Sequence, residues 1–242
     1  MEREKGRPLL FIMKISKIIS FFNFVHHKLI YKHKSIRSII YNIISQNKNN
    51  LYDYGEGFFY QSVPPINLKG LRDTKKRIRK LNLNNYLKNS TFLDIGTNIG
   101  SIPLSLNNQF IFGVGIDHNN TTIKVAQKIQ EYLGVKNIEF ISGDFSKYEF
   151  NKKFDVILSL ANHSTFDKGI DDPEPYFNKI YSLLNKNGIL IIESHNPLYE
   201  KSEIYLELIK NLEVSYETIE FGKYDFGNFY DQNRLFHIMK KK

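Results

Sequence analysis

Two histidines, His163 and His195, stand in polar loops that follow apolar runs, Phe154 to Leu160 and Gly188 to Glu193. An imidazole with an unperturbed pKa of about 6.5 is the natural proton acceptor at neutral pH. With Asp167 beyond it as an orienting carboxylate, His163 is the first candidate base and His195 the second. Three acids follow earlier apolar runs in the same way. Asp94 opens the turn Asp94-Ile-Gly96-Thr-Asn98-Ile-Gly100, Asp117 closes Gly113-Val-Gly115-Ile-Asp117 23 residues later, and Asp144 with Phe145 follows Ser142-Gly143. Glycine in such a turn lets the backbone approach a ligand closely. A carboxylate placed like Asp117 accepts both hydroxyls of a ribose. Asp144 beside an aromatic ring offers an acceptor for an exocyclic amine.

Those positions ask for strands that end side by side. Short apolar runs at Phe92 to Ile95, Ile111 to Ile116, Ile138 to Ile141, Phe154 to Leu160 and Gly188 to Glu193 alternate with amphipathic stretches at Ser101 to Asn107, Thr121 to Leu133, Pro175 to Leu184 and Leu198 to Leu212. Near-continuous apolar strands separated by helices predict a parallel sheet covered on both faces, a doubly wound α/β domain. Glu213 to Phe221 and Leu235 to Met239, joined by a connection without helical pattern, predict an antiparallel pair at the far edge. In an open sheet of this kind a ligand binds beyond the carboxyl ends of the strands, where strand order reverses. The acids and the histidines fall at those ends.

These residues resemble the class I S-adenosylmethionine-dependent methyltransferases over roughly Phe92 to Glu193. The resemblance implies a Rossmann-like, mostly parallel seven-stranded sheet whose last strand is antiparallel, with S-adenosyl-L-methionine as cofactor. It places Asp94, Gly96, Asn98 and Gly100 beside the methionine part, Asp117 on the ribose and Asp144 on the adenine, with Phe145 and Leu160 assigned to the same cofactor. Asn98 stands where the commoner turn has glycine, and asparagine tolerates the left-handed backbone region. A dinucleotide is disfavoured, because G-T-N-I-G is one spacing short of G-x-G-x-x-G.

The acceptor side belongs to the ends of the fourth and fifth strands and to the segment before the first. Gln61, Arg72 and Asn162 are its candidate substrate residues, Arg72 through the planar fork that clamps a carboxylate. The reaction expected is in-line methyl transfer to a small hydroxylated acceptor such as a sugar or other metabolite, at oxygen. Asp167, Asp171, Asp172 and Glu174 near the mouth repel a polyanion, so nucleic acid is not favoured. The alternatives are a tRNA or protein methyltransferase docking through the basic N-terminal arm, a nucleotide-dependent oxidoreductase and a non-catalytic cofactor-binding module. A further alternative makes Glu193, His195 and Asp167 ligands of a divalent cation; no ligand spacing compels it, and no metal is assigned.

Composition frames these readings. The absence of cysteine excludes disulfides, thiolate metal sites and a cysteine nucleophile. The formal charge of +9 is concentrated in residues 1–50, which carry ten basic residues against two acids, leaving residues 51–242 nearly neutral. The expected organisation is a basic N-terminal helical arm over 1–50 and a catalytic domain over 51–242, with a pre-core segment at 51–90. Asn67 to Leu87 reads as a basic helix. In the arm, Ile12, Ile15, Ile19 and Phe22 recur at helical spacing with lysines between them. That pattern suits a helix docked on the body or one resting on an anionic membrane face. Lys14, Lys17 and Lys28 argue against a spanning segment or a secretory signal, and Met13 is a second candidate start. The expected location is the cytoplasm, with peripheral contact to the inner membrane face through the arm.

Overall fold

The computed structural model describes residues 36–46, 61–70, 72–162, 173–195, 201–226 and 232–242. Seven strands form one sheet: β1 (Thr91–Ile95), β2 (Phe112–Asp117), β3 (Ile138–Ser142), β4 (Phe154–Leu160), β5 (Leu184–Glu193), β6 (Tyr216–Tyr224) and β7 (Arg234–Lys241). Their order is β3-β2-β1-β4-β5-β7-β6. The first five are parallel, with Leu93 opposite Val114 on one side and Ile157 on the other, while β7 runs antiparallel between β5 and β6. The doubly wound fold and its antiparallel edge are as the residue pattern implied. Strand order reverses between β1 and β4.

The pleat explains why apolar runs make this sheet. Adjacent residues point to opposite faces, so Phe92 and Leu158 enter one hydrophobic cluster and Leu93 and Ile157 the other. Helices α1 (Ile36–Gln46), α2 (Thr74–Lys80), α3 (Leu83–Tyr86), α4 (Ser101–Ser105) and α5 (Asn120–Leu133) precede or separate the early strands, and α6 (Glu174–Leu183) and α7 (Ser202–Leu212) flank β5. On α1, Ile36, Ile40 and Ile44 are buried at helical spacing in the cluster that also holds Ile123 and Ile129 of α5. Helix α5 starts where the Asn119 side chain accepts from the Thr121 and Thr122 amides and stops at left-handed Gly134.

The turn expected at Pro64-Pro65 is present as a 3-10 turn at Pro64–Ile66, but the stretch read as one basic helix from Asn67 to Leu87 holds instead the two short helices α2 and α3, with Asp73 at the start of the first. Local side chains cause the breaks. Asp73 accepts from the Lys75 and Lys76 amides and starts α2 there, and Asn82, at φ 50°, ends it. Gly70 passes so close to Gln61 and Ser62 that a Cβ would lie 2.3 Å from the Gln61 carbonyl carbon. Among the described residues no helix is long and apolar enough to cross a membrane. The apolar and lysine pattern of Ile12 to Phe22 lies outside the described residues.

Candidate functional site

The glycine turn after β1 is built on left-handed backbone. Gly96, Asn98 and Gly100 have φ of 70°, 53° and 71°. The Gly96 and Thr97 amides both donate to the Ile116 carbonyl, which stitches the turn to β2. Gly100 begins α4 under the Phe140 ring, where a Cβ would come within 2.5 Å of the ring. Asn98 closes the arrangement: its amide donates to Asp117 Oδ2 at 2.9 Å, and its own Oδ1 accepts from the Ile99 amide.

The three acids occupy different environments. Asp94 is buried, accepts from Thr97 Oγ1 at 2.7 Å, and has its carboxyl pushed up to about 7, chiefly by burial. Thr97 and the positive field of Arg77 oppose that rise, and the negative field of Asp117 adds to it. Asp117 is also raised by burial, against the Asn119 and Asn98 amides that hold its charged form. Its side chain is 10% exposed. Asp144 behaves otherwise. Burial would raise its carboxyl, but hydrogen bonds from the Ser146 amide and hydroxyl, and an ion pair with Lys147 at 3.2 Å, hold it below the usual carboxylate range. The structure thus brings Asp94 and Asp117 into each other's field and ties Asp144 to its own turn. Phe145 packs edge-on against Tyr176 in the core.

Across the strand reversal, β4 ends at Leu160, which is partly buried against the first cluster. Ala161 then takes φ 61° and donates its amide to the Glu193 carbonyl on β5. The Asn162 side chain turns back to β1, its Nδ2 donating to the Ile95 carbonyl while Oδ1 accepts from Ser159 Oγ at 2.9 Å and Tyr176 Oη at 3.3 Å. His163 and Asp167 lie outside the described residues. His195 is buried just past the end of β5.

The most heavily charged buried feature joins Glu193, expected as an alternative metal ligand, to two arginines that residue type did not assign to it. Glu193 at the end of β5 is fully buried and receives Arg77 at two points, Nε to Oε2 at 3.0 Å and Nη2 to Oε1 at 2.6 Å. Tyr224 Oη also donates to Oε2, and Arg234 Nη1 lies 3.5 Å from Oε1. Despite burial, these cations hold Glu193 below the usual carboxylate range. A carboxylate engaged by two guanidinium groups is a poor ligand for a divalent cation, so the alternative that made Glu193 a metal ligand loses its anchor. The spacing of Thr74, Arg77 and Ile78 on the inward face of α2 is the signal that marks Arg77. Beside this cluster, the Arg72 backbone pairs with that of Gln61 in an isolated parallel bridge, and its guanidinium lies over the Phe226 ring at 5.3 Å. Arg72 is 6% exposed, so it is no solvated surface cation.

A family model described as a methyltransferase domain matches residues 87–241. The chain is 28% identical over 156 residues to a protein-lysine N-methyltransferase of Saccharomyces cerevisiae, covering 58% of this chain and 65% of the relative. It is 29% identical over 151 residues to a release factor glutamine methyltransferase of Buchnera aphidicola, covering 59% and 54%. The chain therefore spans between about half and two thirds of these relatives' lengths. In fold it is similar to the N-methyltransferase NodS from Bradyrhizobium japonicum, solved in complex with S-adenosyl-L-homocysteine, with a TM-score of 0.59 at 17% identity over 69% of this chain and 86% of that one.

Proposed function

The chain belongs to the methyltransferase domain family, and from that premise we propose that it transfers a methyl group from S-adenosyl-L-methionine to an acceptor. The observation that carries the proposal is the clasp between Asp117 and Asn98, which joins the end of β2 to the glycine turn at the strand reversal. Each carboxylate oxygen of Asp117 takes one backbone amide, from Asn98 or Asn119, and an ionised carboxylate has about four lone-pair sites. Acceptor capacity remains for the two hydroxyls of a ribose, so the residues present fit an adenosyl group. The buried acid Asp94 and the left-handed turn would flank the methionine part. When bound, the sulfonium supplies an already activated methyl group, and the task left to the protein is to align an acceptor, exclude water and take up its proton.

For the acceptor, the favoured reading is a small hydroxylated molecule methylated at oxygen, with His163 or His195 receiving the hydroxyl proton. Its support is that Arg77 pins the pre-core segment to the end of β5, with Gln61 and Arg72 paired across a bridge on that segment. A second reading, a macromolecular acceptor, draws on the outer face of α2, where Lys75, Arg79 and Lys80 are exposed, and on the protein substrates named for the two relatives. The test is calorimetric titration with S-adenosyl-L-homocysteine, followed by an acceptor screen that detects the demethylated cofactor. Micromolar binding with turnover on a sugar or similar hydroxylated metabolite supports the favoured reading. Turnover only on RNA or protein replaces the acceptor, and absence of binding overturns the proposal.

A further inference from the structure

The strand reversal between β1 and β4 is where an open α/β sheet opens into a ligand crevice. Backbone pairing of these strands reaches its last matched residues at Ile95 and Ser159. Past that point β4 turns away, since Ala161 adopts φ 61° and gives its amide to Glu193 on β5. Among the described residues, no main chain beyond Leu160 pairs with β1. The Asn162 side chain spans the interval instead, with Nδ2 on the Ile95 carbonyl. Its orientation is fixed from the other side: Ser159 Oγ and Tyr176 Oη both donate to Oδ1, and these two hydroxyls lie 2.9 Å apart within the buried interior. The glycine turn rests on the same amide, because a Cβ at Gly96 would stand 2.8 Å from Asn162 Nδ2.

The geometry points to Asn162 as a positioning residue that sets the spacing of the β1 and β4 ends, and so holds the glycine turn in the shape that receives the cofactor. This inference rests on the cofactor reading above. It gives the residue a task different from direct contact with the acceptor: one planar amide joins the end of β1, the entry to the glycine turn, the end of β4 and, through Tyr176, helix α6. The pairing of donor and acceptor on one side chain is what the position requires. Aspartate has the same shape but presents only acceptors when ionised, so toward the Ile95 carbonyl it would set oxygen against oxygen. Alanine leaves the carbonyl without this partner.

Calorimetry with S-adenosyl-L-homocysteine on the full chain, run for the wild type, Asn162→Asp and Asn162→Ala over about pH 5.5 to 8.5, tests this. The titratable group in contact with the new carboxyl is the neutral phenol of Tyr176 on α6; the field of Asp94 on β1 reaches Tyr176, and Asp117 on β2 and Arg77 on α2 act in turn on Asp94. Burial and the neighbouring negative field of Asp94 disfavour its ionised form. Asn162→Asp should bind at least tenfold more weakly than the wild type at the alkaline end. It should recover toward the wild-type value at the acid end, where a protonated carboxyl again donates to Ile95. Asn162→Ala should bind at least tenfold more weakly at every pH, with no recovery relative to the wild type. A purely structural loss would move melting temperature without that difference in pH profile between the two variants. If neither variant folds, Tyr176→Phe keeps the core ring and removes one of the donors that orient the amide, and it should weaken binding severalfold. Variants that bind within twofold of the wild type across the whole range overturn the inference. A wild type that fails to bind overturns the cofactor reading itself.

Discussion

Arg77 and Glu193, 116 residues apart in sequence, meet in a two-point buried ion pair that fastens the pre-core helix to the end of β5. Removing one partner of such a pair strands the other charge in the interior and costs about 3–5 kcal/mol. Arg77→Met should lower unfolding stability in urea by that amount. Arg77→Met combined with Glu193→Gln should be less stable than either single variant, because it also leaves the buried Arg234 guanidinium without its carboxylate. A single variant of wild-type stability contradicts the pairing.

The buried carboxyl of Asp94 gives the fold a pH dependence of definite sign. Its proton is held more tightly in the folded chain, up to about 7, than at the ordinary value of 3.8. Such a group stabilises the fold fully below the ordinary carboxylate range and loses that contribution as pH rises toward 7. Urea unfolding should therefore show stability falling from about pH 4 to about pH 7. Asp94→Asn, which keeps an acceptor for Thr97 and removes the titration, should flatten the profile and be the more stable protein at about pH 8. An unchanged slope in the variant assigns the dependence to other groups.

Two glycines carry steric demands that alanine cannot meet. Gly100 combines φ 71° with a Phe140 ring atom 2.5 Å from where a Cβ would stand, and Gly96 combines φ 70° with Asn162 Nδ2 at 2.8 Å. Left-handed strain of about 1–2 kcal/mol adds to the overlap in each case. Thermal unfolding should show both alanine variants destabilised, Gly100→Ala by about 2 kcal/mol or more, since an aromatic ring yields less readily than an amide. Gly134→Ala serves as reference, with φ 66° and no atom within 4 Å of the added carbon.

The sheet could be read from the chain because the central strands β1, β2 and β4 are buried on both faces and so spell nearly unbroken apolar runs. Boundaries set by one residue were harder, as the Asp73 cap and the left-handed Asn82 show by breaking up a helical-looking stretch. Residue type located Asn98, Asp94 and Asp117 beside one another at the ends of β1 and β2. It could not say which way a side chain points. Asn162 stands at a strand end, where a substrate contact was expected, yet reaches back to Ile95. Arg77 sits in a run of five basic residues among seven, and only its helical phase separates it from its exposed neighbours.

The two candidate bases separate by kinetics. His163→Ala or His195→Ala, whichever removes the proton acceptor, should slow turnover by about 10² to 10⁴ while leaving cofactor affinity unchanged. Wild-type turnover in both variants, measured on an acceptor found by screening, removes these two histidines from the reaction.

The clasp at the end of β2 is tested most directly by titrating S-adenosyl-L-homocysteine into Asp117→Ala and wild-type protein by calorimetry, with circular dichroism confirming that both are folded. The account predicts that affinity falls by about 100-fold or more in the variant, the scale of losing charge-assisted hydrogen bonds to two ribose hydroxyls. A folded Asp117→Ala protein that binds as tightly as the wild type would contradict it.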